Sequence, residues 1–489
     1  MLKYLRKNPL NLMSQNKSFY ITTTIPYVNA EPHIGFALEL VQSDAIARYK
    51  RLAGYEVFFS TGTDEYGQKI WEASQKEGKD VQAYVDEYAQ KYLDLKDKLG
   101  LSYDNFIRTT SKDNTKAAQE FWTLCDKNGD IYKKKYKGLY CVGCEKFLTE
   151  KDMVDGKCSV HINLEPEIVE EENYFFRLSK YRERILNYLQ EGSVYPEWRR
   201  KEAVDYVNIM EDFSISRNKE RVPWGVSIPG DNTQIMYVWF GALVNYISTL
   251  GWPENKKVFE KFWQDGETVQ TAGKDMVKFQ SVMWQGMLMS ADLPTTDHIV
   301  YHGFITGEGG IKMSKSLGNV TNPNDIVDEY GTDALRYFLL REISSFEDSP
   351  FTLERFKESY NANLANGLGN LASRILTLSE KYLDKCPEIP EKSDFAEYFK
   401  LYENFDIKQA TEYIWKEIRE LDKFIQDTEP FKVVKTDEKK GKELISIMVV
   451  RLYTIARMLN PIMPETNKLL KKLIKENKKP TQPLFARKD

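Results

Sequence analysis

The chain has 489 residues, of which 42% are hydrophobic and 13% aromatic; this excludes a disordered polymer and leaves room for about three domains. The formal net charge of −4 excludes a globally basic protein, yet residues 432–489 carry 15 basic and 6 acidic side chains, a local surplus that suits a polyanionic partner. Five cysteines (Cys125, Cys141, Cys144, Cys158 and Cys386) are too few for a disulfide scaffold of this length, so a reducing, cytoplasmic setting is expected.

Residues 1–18 read as a polar tail. It carries Lys3, Arg6, Lys7 and Lys17, lacks the apolar core of a secretory signal, and contains a second possible start at Met13. Phe19–Thr24 is β-rich and predicts a buried strand. Ile34, Leu38, Val41, Ala45, Tyr49 and Leu52 then recur at helical spacing, and Gly54 is placed to end that helix. Tyr55–Ser60 predicts a second strand, with the loop Thr61-Gly62-Thr63-Asp64-Glu65-Tyr66-Gly67 after it. Strand, helix, strand implies a parallel sheet with ligands at the carboxyl ends of its strands. Residues 119–231 break the rhythm with a cysteine cluster, the acidic run Glu165–Glu172 and short β-like pieces, and read as an insertion. Alternation resumes near residue 232, with a strand at Val269–Ala272, a helix at Met276–Ser290 and a strand at His298–Phe304. From about residue 352 the chain is amphipathic and helical. No apolar run approaches the roughly 18 residues of a membrane span, so none is expected.

Three constellations carry chemistry. Pro32-His33-Ile34-Gly35 opens the first helix, where backbone N–H groups and the dipole suit an anion. Gly310-Ile311-Lys312-Met313-Ser314-Lys315-Ser316-Leu317-Gly318-Asn319 is a loop able to bring two lysines onto a polyphosphate. Cys141-Val142-Gly143-Cys144 and Cys158-Ser159-Val160-His161 form C-x₂-C and C-x₂-H pairs, a ligand set for one closed, tetrahedral structural Zn²⁺ held by Cys141, Cys144, Cys158 and His161.

The first two motifs together resemble the paired signature of the class I aminoacyl-tRNA synthetases. Within that class the chain resembles the methionine-specific members from Phe19 to its end. The resemblance rests on Pro26-Tyr27-Val28-Asn29, Thr61-Gly62-Thr63-Asp64-Glu65, Tyr237-Val238-Trp239-Phe240 with Tyr246, Ala272-Gly273-Lys274-Asp275, and Asn370-Leu371-Ala372-Ser373-Arg374. The insertion is too short for the editing domain of the branched-aliphatic enzymes. The resemblance implies an α/β fold: a Rossmann-type catalytic domain (19–118 and 232–320), an inserted connective domain with a zinc knuckle (119–231), a stem-contact segment (321–352) and an all-α helical-bundle anticodon-binding domain (353–489).

The implied activity is a methionine–tRNA ligase that forms methionyl-adenylate from methionine and ATP with Mg²⁺, then charges tRNA(Met); a monomer is expected. The implied catalytic groups are His33, Lys312 and Lys315. ATP would also meet Gly35, Asp275 and His302. Methionine would meet Ile25, Tyr27, Asp64, Trp239, Ala242, Tyr246, Met276 and Gln280. Asp64 suits the α-ammonium, and aromatic walls suit a polarizable thioether. Asn370 and Arg374 share a helix face at i, i+4 and can read unpaired base edges. Phe431 stands where the family carries a tryptophan. Three departures cluster at the catalytic site: Phe36 and Tyr66 replace histidines, and Gln280 stands at a third histidine position. Retention of Lys312, Lys315, Asp64 and Asp275 favours an active enzyme over a dead paralogue. The alternatives are a tRNA-independent nucleotidyltransferase and a non-catalytic tRNA-binding paralogue.

Overall fold

The computed structural model describes residues 17–143, 146–148, 152–159, 162–310, 313, 321–390 and 395–488. Six strands form one sheet: β1 (Ser18–Thr22), β2 (Glu56–Thr63), β3 (Asn105–Arg108), β4 (Val194–Tyr195), β5 (Glu267–Gly273) and β6 (His298–His302). Their order is β3-β2-β1-β5-β6-β4 and every pairing is parallel. The order reverses between β1 and β5, which marks the switch point where parallel sheets bind ligands. Strand β2 runs three residues beyond the predicted Ser60, because Thr61–Thr63 pair with Phe106–Arg108. That short third strand carries too little alternation to stand out in the sequence. Strand β4 lies within the 119–231 segment yet pairs with β6 through Val194 and Tyr195.

The rest of that segment is built on an antiparallel pair, Ile131–Cys141 with Glu167–Phe176. The register explains the acidic run. Lys135 faces Glu172 and Lys137 faces Glu170, so a lysine-rich strand meets a glutamate-rich one. Opposite charges directly across an antiparallel pair are favourable. Beyond the pair, Cys141, Leu148 and Cys158 are buried together in a small separate cluster.

Helix α1 (Ile34–Leu52) is buried along most of its length, polar residues included. One side lies on the sheet, where Ser43 Oγ and Thr271 Oγ1 are 2.7 Å apart. The other meets the helical region. There Tyr49 stacks on Tyr402 with ring centroids 4.4 Å apart, while Asp44 pairs at 2.7 Å with Arg336 of the 321–352 segment, both fully buried. Desolvation opposes ionisation of Asp44, but Arg336, Arg48 and Ser102 outweigh it and hold its pKa below the usual value. The same apolar core runs continuously from α1 and β1 into the helical region.

The helical region contains α2 (Asn370–Tyr382), α3 (Ile407–Thr428), α4 (Pro430–Thr436), α5 (Glu438–Met458) and α6 (Pro464–Lys475). A wide-turn i→i+5 stretch, Tyr360–Gly369, leads into α2. Glu429, in the left-handed region at φ 38°, bends the chain between α3 and α4. Among the described residues no helix is long and apolar enough to cross a membrane.

Candidate functional site

The first motif folds as a cap. His33 is the N-cap of α1, and its Nδ1 accepts from the N–H groups of Gly35 (3.1 Å) and Phe36 (3.4 Å). Ile34 N donates to Thr321 O at 3.1 Å. The helix N-terminus expected to be open is therefore already partnered within the chain. With Nδ1 accepting, the neutral ring carries its proton on Nε2. Phe36, at the second histidine position, is buried with its ring edge-on to Tyr92 at 5.6 Å. It serves the core.

The contact from Ile34 to Thr321 spans almost 290 residues of chain, and Thr321 stands two positions past Asn319, the last residue of the second motif. Within that motif Met313 packs against the main core. Lys312 and Lys315 lie outside the described residues, as do Cys144 and His161 of the metal set. The other two metal candidates, Cys141 and Cys158, share one buried cluster. That burial fits a closed structural centre of two thiolates and two further ligands.

Beside the switch point, Glu39 of α1 ties three elements together. It accepts from Thr24 N at 2.6 Å, from the Thr24 hydroxyl, and from His302 Nε2 at 2.9 Å. His302 Nδ1 lies 2.8 Å from Gly303 O. A carbonyl oxygen only accepts, so Nδ1 carries a proton, and Nε2 faces the Glu39 carboxyl group, a partner that favours the charged ring. Burial opposes that charge, but the Glu39 contact and Gly303 O outweigh it and hold the pKa above the usual value. Gly303 is obligatory here: a Cβ would lie 2.1 Å from the backbone carbon of Glu347. Asp275 is exposed at the end of β5, beside Gly273. Glu39 escaped the sequence reading. Its one signal is a carboxylate set between Leu38 and Leu40 on a helix predicted to be core-facing.

The residues proposed for an amino acid converge from four segments. Tyr27 bridges Asp64 in parallel register, and Asp64 N donates to Pro26 O at 2.9 Å. Asp64 is buried, and Thr109 Oγ1 lies 3.3 Å from its Oδ1. Trp239 meets Tyr27 edge-on at 6.3 Å and stacks on Phe279 at 3.9 Å. Met276 and Tyr66 belong to the same apolar cluster, with Ala242 buried nearby in the helix Val238–Leu243 and Ile25 half-buried in the loop after β1. Tyr246 is buried and its hydroxyl accepts from Gln280 Nε2. Burial drives the Tyr246 pKa well up, so it stays a neutral donor. Gln280 Oε1 is buried and accepts from no described residue.

A second concavity lies in the helical region. A cavity of about 290 Å³ opens between α2 and α3, lined by Asn366, Asn370 and Arg374 on one side and Arg419, Asp422, Lys423 and Gln426 on the other. Asn370 and Arg374 thus meet on one face as their spacing predicts. Phe431, just past the Glu429 bend, is 39% exposed and so is not a core residue.

The family model for tRNA synthetases class I (M) matches residues 19–163 and 150–376. A methionine–tRNA ligase of Thermotoga maritima is 39% identical over 485 residues, covering 95% of this chain and 76% of that protein. One from Clostridium acetobutylicum is 40% identical over 483 residues, covering 94% and 73%. Among solved structures, Mycobacterium tuberculosis methionyl-tRNA synthetase in complex with methionyl-adenylate superposes with a TM-score of 0.86 at 34% identity, covering 93% of each chain.

Proposed function

Because this chain belongs to the methionine–tRNA ligases of the class I tRNA synthetases, we propose that the β1/β5 switch point forms methionyl-adenylate and that the α2/α3 groove receives the anticodon. The reaction has two steps. The methionine carboxylate attacks the α-phosphorus of ATP and releases pyrophosphate; the terminal ribose hydroxyl of tRNA then attacks the mixed anhydride and releases AMP. Neither step needs a protein nucleophile. What the protein supplies is fixed positive charge around the reacting phosphorus.

His33 supplies one donor from Nε2, in a ring locked by its own cap to α1. Lys312 and Lys315 bring cations to the leaving pyrophosphate, on a segment whose end is tied to α1 through Thr321. Gly35 and Asp275 flank the nucleotide. His302 acts on it indirectly, by holding Glu39 at the floor of the crevice. Mg²⁺ accompanying ATP would further neutralise the phosphates. Asp64 takes the α-ammonium of methionine. Tyr27, Trp239 and Met276 wall its side chain, with Ile25 and Ala242 completing the pocket. The neutral Tyr246 hydroxyl, held by Gln280, faces the sulfur. Cys141, Cys144, Cys158 and His161 would hold one structural Zn²⁺, which would cross-link the inserted segment.

The observation that carries this reading is the Ile34–Thr321 hydrogen bond, which ties the start of α1 to a residue two positions past the second motif. The test is ATP–pyrophosphate exchange with each of the twenty amino acids. Exchange is expected with methionine above all others. Exchange with none, or with another amino acid preferred, would overturn the reading.

A further inference from the structure

The groove between α2 and α3 holds cations of two kinds. Arg374 is fixed: its Nη1 donates to Asp422 Oδ1 at 2.7 Å, and Gln426 Nε2 holds the other Asp422 oxygen at 2.7 Å. Arg419 and Lys423 are exposed at the rim, and neither pairs with a carboxylate among the described residues. They stand four residues apart on α3, so two like charges face each other on the helix surface. Like-charge i, i+4 pairs destabilise a helix. Here the pair also borders a concavity rather than open solvent, a site that favours an anion.

The two kinds of cation suit two kinds of contact. A guanidinium held in one plane presents a fixed fork to a base edge, whereas long unfixed cations follow the sugar–phosphate chain. We infer that Arg419 and Lys423 bind backbone phosphates of the single-stranded loop whose bases meet Asn370 and Arg374, and that Asp422 is a positioning residue which orients the reading face of Arg374. This rests on the assignment of the groove to the anticodon and divides its labour: α2 reads, α3 holds.

The experiment measures charging of tRNA(Met) carrying either its own anticodon or single substitutions in it, across a range of salt concentrations, for Arg419→Gln, Lys423→Gln and Asp422→Asn. Pyrophosphate exchange in each protein serves as the check on folding. The Arg419→Gln and Lys423→Gln proteins are expected to lose kcat/KM by one factor on every anticodon. Each should flatten the slope of log kcat/KM against log salt by about 0.7, the value for one lost phosphate contact on a single strand. Asp422→Asn should leave the slope alone and narrow the preference for the native anticodon by about 5- to 150-fold, the range for one well-placed base contact. Unchanged slopes in the first two proteins, or losses confined to particular anticodons, would overturn the phosphate assignment. An Asp422→Asn protein with full discrimination, or with exchange and charging equally impaired, would overturn the positioning role. Absent methionine-dependent exchange in the unaltered protein would refute the functional reading instead, a distinguishable failure.

Discussion

Replacing Glu39 by glutamine keeps the side chain's shape and removes the counter-charge of His302. In the native chain the two ring nitrogens lie 2.8 Å and 2.9 Å from Gly303 O and Glu39 Oε2, in a buried setting. Without the carboxylate, desolvation is left as the dominant influence on the ring, which then becomes neutral near pH 7. Removing one partner of a buried ion pair costs about 3–5 kcal/mol. For a domain of 150–250 residues this lowers the melting temperature by roughly 6–20 °C. The sign with pH follows from the raised folded-state pKa of His302. Its contribution is complete below the unfolded value of about 6.5 and fades as pH rises through the higher folded value. The gap between native and Glu39→Gln proteins should therefore be widest near about pH 5.5 and shrink towards alkaline pH. Thermal unfolding followed by circular dichroism at several pH values measures this gap. A cycle with His302→Gln isolates the pairwise term. A gap independent of pH across that range would mean that His302 is neutral, and the argument for the pair would fail.

Other outcomes test the remaining assignments. Lys315→Ala should lower kcat for pyrophosphate exchange by roughly 10²–10³, as for loss of one oxyanion-type donor, with ATP binding little changed; an unaltered kcat would remove the lysine from the mechanism. Mass spectrometry on protein purified without added metal should find one zinc per chain, whereas a small fraction of an equivalent with full activity would show that the knuckle is empty of metal. Phe431→Ala should impair charging by about 5- to 150-fold, the range for one stacked base, and spare exchange. Equal losses in both activities would argue against a stacking role for this exposed ring.

Strands β1 and β2 were legible because they are apolar runs separated by one long periodic helix, whereas β3 and the two-residue β4 are too short to show a pattern. What stayed hidden follows a physical pattern. Helix α1 reads as amphipathic, yet Glu39, Gln42, Ser43 and Asp44 are buried. Three of the partners, His302 of Glu39, Thr271 of Ser43 and Arg336 of Asp44, lie more than 200 residues away, and a polar residue matched across such a distance leaves no local trace. The open helix N-terminus expected at His33 was a reasonable inference from a loop preceding a helix. It did not foresee that the histidine's own Nδ1 would close it. Asn370 and Arg374 are visible through their spacing, whereas Arg419 and Lys423 lie on a different helix, and nothing local in the sequence links them to that pair.

Helix α1 has 19 residues, about 28 Å at 1.5 Å per residue. Its first turn is tied to Thr321 through Ile34 N. Its middle is bolted to the helical region by the Asp44–Arg336 pair, and its last turns stack Tyr49 on Tyr402. Arg336 in turn donates to Leu99 O, Pro461 O and Ile462 O, three bonds that each span distant segments. A rod pinned in this way acts as a tie-bar: the parallel sheet on one side and the helices around Tyr402 and Ile462 on the other are held to one spacing along α1, so the two cannot shift separately without breaking these buried contacts.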